Sequence, residues 1–241
     1  MAKYFNYFKS NFNYKITNRS LFFMLIMDLA FILVHVLFIY LIFIRVQFDW
    51  SISQMFLIDF DRGYPEIFQY LKFLVIIGSI IYLMYLKKEY RYFSWLVLFI
   101  LLLFDDAFGF HEQFGEWMVE RFNIMPKYGL RAQDLGELTY AVIFGALVFL
   151  SMIFGFIRGN QKFKKTSFDL FLLFSIFIFF GVGMDMLHSF AGDNRYIKLV
   201  MVLLEDGGEM ISLSILTWYF IFLIIRPDTH HKYIYNFFLK N

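Results

Sequence analysis

The sequence predicts an all-α fold, a polytopic integral membrane protein built as one bundle of six transmembrane helices with both termini cytoplasmic. Three observations predict it: the apolar content, the length of the apolar runs, and the placement of the basic residues. Of 241 residues, 60% are hydrophobic and 23% aromatic, and the mean hydropathy is +0.61. A soluble domain stays nearer about 45–50% apolar. Six runs reach the roughly 20 helical residues that cross about 30 Å of hydrocarbon: residues 21–44, 64–86, 92–111, 135–156, 167–187 and 197–225. No repeat or low-complexity linker divides them, so residues 1–241 form a single transmembrane domain.

The first run follows Lys3, Lys9, Lys15 and Arg19 and lacks a small-residue cleavage site, so it is expected to remain as a helix. Asp28 and His35 on it are expected to tie helices together. The second run carries Lys72 and ends at Lys87 and Lys88. The third begins near Tyr92, runs through ten apolar residues from Trp95 to Phe104, and meets Asp105, Asp106, His111 and Glu112. The fourth starts with Asp134 and Glu137 in its first turn. Arg158, Lys162, Lys164 and Lys165 separate it from the fifth, which carries Asp185 and His188 near its end. The sixth carries Glu205 and Glu209 in its first half, and Arg226, Lys232 and Lys240 follow it.

Most of the 22 basic residues therefore lie in alternate connections, and by the positive-inside rule these face the cytoplasm. The opposite connections, residues 47–63 and 116–134, are mixed in charge and expected outside. A multi-pass position in the cell membrane follows. Trp50, Trp95, Trp117 and Trp218 fall near run ends, as interfacial anchors do. The net charge of +2 gives no reason to expect nucleic acid, and the absence of cysteine excludes disulfides, thiolate nucleophiles and Cys-ligated metals.

Depth converts the charges into a pattern. At 1.5 Å per residue, Asp105 lies roughly 20 Å from the inner face, and Glu205 and Glu209 roughly 10–16 Å below the outer surface. Asp185, His188, Asp134 and Glu137 fall at the same outer level. On ideal helices Asp105, Gly109, Glu112 and Glu116 share one face; so do Gly181, Asp185, His188 and Gly192, and so do Glu205, Gly208, Glu209 and Ser212. On the same wheel, His111 points about 120° away from the first stripe. A carboxylate at the bilayer centre costs about 2.5–3.5 kcal/mol on insertion scales. Several in one layer must be offset, and the basic residues at that level are few, mainly Lys72, Arg131, Arg195 and Lys198.

Carboxylates with one or two imidazoles make a ligand set suited to a divalent metal ion such as iron, manganese or zinc. The expected ligands are Asp105, His111, Glu112, Glu137, Asp185, His188, Glu205 and Glu209, with His188 the most diagnostic because it shares a helix face with Asp185. The Asp185-x-x-His188 pair resembles half of the ligand set of carboxylate-bridged di-metal helix bundles. Asp106 and Glu112 are the expected catalytic carboxylates, acting as general base on a metal-bound water. The expected activity is that of a metal-dependent membrane hydrolase or oxidoreductase on a lipid or lipophilic substrate, the membrane lipids being its surroundings. A proton or cation transporter, or a non-catalytic subunit of a membrane complex, is the alternative. A transporter requires charges continuing to the cytoplasmic side, and the inner halves of the third to sixth runs are almost wholly apolar.

The orientation is testable with cysteines at Ser51 and Ser167: an impermeant thiol reagent should label intact cells at position 51 alone. Labelling at 167 alone would reverse the topology and the depth assignment with it.

Overall fold

A computed structural model of the chain describes residues 15–44, 54–127, 129–189 and 195–225. Among them there is no strand, only helices and short connections. Helix α1 is Lys15–Phe43 and α2 is Tyr64–Lys87. Helices α3, Phe93–Phe108, and α4, Phe110–Phe122, are separated by Gly109 alone. Helix α5 is Ala132–Arg158 and α6 is Gln161–Ile178. A single π turn, Phe179–Gly183, carries α6 into α7, Met184–Ser189. Helix α8, Arg195–Ile225, completes the bundle. Among the described residues, five helical segments are long and apolar enough to span a membrane, and α3 with α4 makes a sixth if the bent pair counts as one.

The third run departs from expectation. It does not continue as one straight helix to residue 111 but bends by 68° between α3 and α4. Gly109 adopts φ +62, a left-handed conformation that other residues enter at a cost of about 1–2 kcal/mol. Its amide donates to the Asp105 carbonyl at 2.7 Å and closes α3. The polypeptide beyond it, FHEQFGEWMVERF, is amphipathic and alternates apolar and acidic faces, as interfacial helices do.

Helix α8 is the centre. Its length lies against α1, α2 and α6, and Met210, Leu213, Leu216 and Phe220 are wholly buried. Phe73, Ile76, Ile80 and Leu83 of α2, Trp95 and Phe99 of α3, and Leu170 of α6 close round it. Phe99 meets Phe220 edge-on at 5.5 Å between ring centres, a favourable quadrupolar geometry. Helix α5 is peripheral: Val142, Leu147 and Leu150 are open to the surroundings, as expected where lipid is the solvent. Trp95 and Trp218 are core residues, not interfacial anchors, whereas Trp117 is exposed; Trp50 lies outside the described residues. The Trp95 indole donates to Ser167 Oγ at 3.2 Å. Ser167 is therefore a poor labelling site, and the exposed Lys162 on the same turn of connection replaces it.

One end of the bundle carries residues 54–63 and 123–131 and is called the acidic end here. The opposite, basic end carries Lys88, Arg91, Arg158 and Lys162. Between them a buried ion pair joins three helices. Lys72 Nζ lies 2.5 Å from Asp28 Oδ1 and donates to the Met210 carbonyl at 3.0 Å, while Ser214 Oγ donates to Asp28 Oδ2 at 2.5 Å. All the side chains in this tie are almost fully buried. Toward the basic end, Tyr219 donates to the buried Asp169 at 2.8 Å, so the inner half of the fifth span holds a carboxylate that the apolar pattern does not suggest.

A buried ion pair with every remaining valence satisfied is costly to break from one side. Lys72→Met should destabilise the protein by about 3–5 kcal/mol because Asp28 is left charged and alone. Removing both charges with Asp28→Leu and Lys72→Met should restore most of that loss. Thermal unfolding in detergent measures both, and a single-variant loss as small as that of a surface pair would contradict the assignment.

Candidate functional site

Every crossing sends polar side chains to the acidic end. The connection from α1 folds back over α1 and α2: Leu57 and Ile58 are buried, and the Ile58 amide donates to His35 Nδ1 at 3.3 Å. This leaves Asp59 beside His35, at 3.6 Å. His35 is itself buried, and its Nε2 has no hydrogen-bond partner. In the first turn of α2, Glu66 accepts from the Arg62 amide and from the Tyr70 hydroxyl, one helical turn on.

Asp105 performs two tasks across the bend. Its Oδ1 accepts from the His111 amide at 3.0 Å, which satisfies one of the free donors at the start of α4. Its Oδ2 meets His111 Nδ1 at 3.2 Å. Tyr140 of α5 is also an electrostatic neighbour of Asp105. The bend at Gly109 thus turns the His111 ring onto Asp105, reversing the helical-wheel expectation that it points about 120° away. Glu112 no longer shares a face with Asp105 either: it is exposed, and its carboxylate folds back toward Gly109.

The remaining carboxylates fall into two adjoining groups. Asp106 has Glu66, His111, Asp105 and Asp61 as electrostatic neighbours. Glu209 has Asp106, Glu205, Glu66 and Lys72, and Asp206 has Glu205, Glu209, Asp59 and Asp185. The second group is centred on Glu137, whose neighbours are His111, Asp185 and Asp134. Gln133 holds Glu137 Oε1 at 2.8 Å. Asp134 is occupied: it accepts from the Arg131 amide and side chain at 2.9 Å and closes the first turn of α5. Asp106 is not occupied. Its Oδ2 is buried and has no hydrogen-bond partner.

Two close approaches seat these groups. Helices α4 and α5 touch backbone to backbone at Gly115 and Gly136, where a Cβ on Gly136 would lie 2.7 Å from the Gly115 Cα. This crossing draws Glu137 toward His111. In the π turn, a Cβ on Gly181 would lie 2.9 Å from Glu209 Oε2, so the carboxylate rests against bare backbone. The π turn also inserts a residue into the helix, so Gly181 and Asp185 are not related by the ideal spacing that put them on one stripe. Asp185 lies in α7 with His188; the side chain of His188 and the residue Gly192 lie outside what the structure describes.

Among the described residues, no three of the Asp, Glu and His side chains stand at ligating distance from one point. Asp105 and His111 touch. Glu137 and the exposed Glu112 are electrostatic neighbours of His111, Asp185 adjoins Glu137, and Glu209 with Glu205 adjoins Asp106.

A family profile described as a domain of unknown function, DUF8692, matches residues 29–225. The chain belongs to DUF8692. The DUF8692 region takes in every carboxylate of the acidic end and all of α2 to α8. No curated protein and no solved structure matches the chain.

Within this DUF8692 chain, sequence reasoning passed over Glu66, Tyr70, Asp206, Asp59 and Asp61. Depth could have found Glu66, since it stands in the first turn of a helix entering at the level of Asp134. Asp206 is the direct neighbour of Glu205, and the stripe of Glu205, Gly208, Glu209 and Ser212 did not include it. Replacing Asp105 by Ala should cost about 0.5–2 kcal/mol through loss of the cap and should speed amide exchange in the first turn of α4. Asp105→Asn keeps an acceptor for the His111 amide and should protect that turn. Equal exchange in the two variants would show that the side chain does not cap α4.

Proposed function

We propose that this protein is a metal-dependent membrane enzyme whose site lies at the acidic end, with that end facing outward and both termini cytoplasmic. The observation that carries the reading is the Asp105–His111 pair. A carboxylate that takes the Nδ1 side of an imidazole fixes the ring and leaves Nε2 to a metal, the arrangement that orients histidine ligands in metalloproteins. Glu137 and Glu112 stand beside that ring, Asp185 adjoins Glu137, and Glu209 with Glu205 adjoins Asp106, a carboxylate-rich set suited to iron, manganese or zinc. Asp105 would then act by holding His111, and His111, His188 and the neighbouring carboxylates are the residues that would hold the ion.

The excess of negative charge supports the same reading. Lys72 is taken by Asp28 and Arg131 by Asp134, while Asp106 keeps a buried oxygen without a partner. A divalent ion offsets such a cluster more effectively than isolated protons do, because it meets several carboxylates at once. Asp106 would serve as the general base in this scheme, accepting a proton from a water that a bound divalent ion would acidify for attack on an electrophilic carbon of a lipophilic substrate.

One observation favours a second reading, proton or cation transport. Along α8, Glu209, Ser214 with Asp28 and Lys72, and Tyr219 with Asp169 form a sequence of buried polar groups toward the basic end. Proton uptake into liposomes carrying the protein distinguishes that activity directly.

Metal per protein, measured after purification in detergent without chelator and incubation with iron, manganese and zinc, tests the enzyme reading. Wild-type protein should carry metal, and His111→Ala, Asp185→Ala, His188→Ala and Glu209→Ala should each carry substantially less. Asp106→Asn should keep its metal and lose activity. A wild-type protein that stays metal-free under all three ions would exclude the scheme and turn the carboxylates over to proton or cation handling.

A further inference from the structure

The bend at Gly109 creates a groove that straight helices would not. Helix α3 supplies Leu101 and Phe104, α4 supplies Phe114 and Trp117, and α5 supplies Tyr140 and Phe144, lining an open groove of about 440 Å³. This volume falls in the range of small-molecule sites, roughly 300–1,000 Å³. Its walls are aromatic and locked to one another: Phe114 lies 5.5 Å from Tyr140 and 5.4 Å from Trp117, and Tyr140 lies 4.3 Å from Phe144, between ring centres. Tyr140 stands eight residues into α5, roughly 12 Å below its start, so the groove runs from the interface into hydrocarbon depth. Leu101, Phe104 and Trp117 are exposed along it.

Two features separate this groove from an ordinary lipid-facing surface. It is concave on three helices, and it ends beside the site, because Tyr140 on its wall is an electrostatic neighbour of Asp105, which in turn holds His111. We infer that the groove binds the alkyl chain of a membrane lipid and presents its polar head to the Asp105–His111 pair, so that the substrate is a lipid entering sideways from the bilayer. The inference rests on the enzyme reading for the fate of the lipid but not for its binding. The head is uncharged or cationic: Glu112 and Glu116 are exposed on the helix that forms the rim, and they repel a phosphate.

Photolabelling tests this with the whole protein in detergent. A hexadecylamine carrying a diazirine near the chain end should label Leu101, Phe104 or Phe144, saturably, and unlabelled hexadecylamine should compete. The same chain with a phosphate head should label about tenfold less, a difference of about 1.4 kcal/mol in binding. Leu101→Trp, at a lipid-exposed position, should fill the groove and reduce labelling about tenfold, with its metal content unchanged; Phe144→Trp on the opposite wall should do the same and guards against a folding defect in either variant. Labelling scattered over the spans without competition, equal or stronger labelling by the phosphate-headed chain, or labelling unmoved by both tryptophans would overturn the inference. Metal bound without groove labelling would leave the enzyme reading standing and reject the groove. Groove labelling in a metal-free protein would do the reverse.

Discussion

The ion pair between Asp28 and Lys72 sets the height at which everything else is placed. It is closed by Ser214 and by the Met210 carbonyl, so α1, α2 and α8 cannot slide past one another without exposing a charge to a dry interior. In a low dielectric such a slip costs several kcal/mol. Glu66 lies six residues before Lys72, and Glu209 directly precedes Met210. The level of both carboxylates follows from the pair. A van der Waals core of Phe, Ile and Leu would resist sliding far less, because neighbouring apolar ridges repeat every turn and lipid solvates what becomes exposed.

Given that register, two departures from the regular helix aim the side chains. The left-handed Gly109 ends α3 and starts α4 at 68°, which brings His111 onto Asp105 and opens the groove between α3, α4 and α5. The π turn at Phe179–Gly183 shifts α7 relative to α6 and gives Glu209 a surface of bare backbone to rest on. Both are sites where hydrogen bonding is locally rearranged, and π turns occur often at functional positions.

These departures explain which features were legible in the sequence. Hydropathy and length suffice for the helical crossings, because the bilayer imposes both, and residue counting suffices for depth along the straight stretches, where each residue rises about 1.5 Å, though not beyond the 68° bend. The gathering of Asp106, Glu137, Asp185 and Glu209 at one end was readable for that reason. Rotation was not. A helical wheel assumes that 100° per residue holds throughout, and it fails at Gly109 and again at Gly181. The wheel therefore joined Asp105 to Glu112, separated it from His111, and set Gly181 and Asp185 on one stripe. Buried pairs across helices were illegible for a different reason: nothing in the local sequence says that Lys72 answers Asp28, 44 positions away, or that Asp169 answers Tyr219.

The buried polar groups along α8 bear on catalysis and transport in opposite ways. From Glu209 to Tyr219 is ten residues, roughly 15 Å, and the ion pair at Ser214 divides that length. Beyond it, Leu216 and Phe220 are wholly buried, and the Thr217 hydroxyl is satisfied by the Leu213 carbonyl at 2.7 Å. A proton passing inward would have to break the Asp28–Lys72 pair and then cross a packed apolar layer. The register of the bundle depends on that same pair, so conduction by this route would disturb the positions of its own entry groups with every cycle. An enzyme makes no such demand. It needs the pair intact, the carboxylates held at one level, and access from the side, and the groove ending at Tyr140 supplies that access without opening the centre of the bundle.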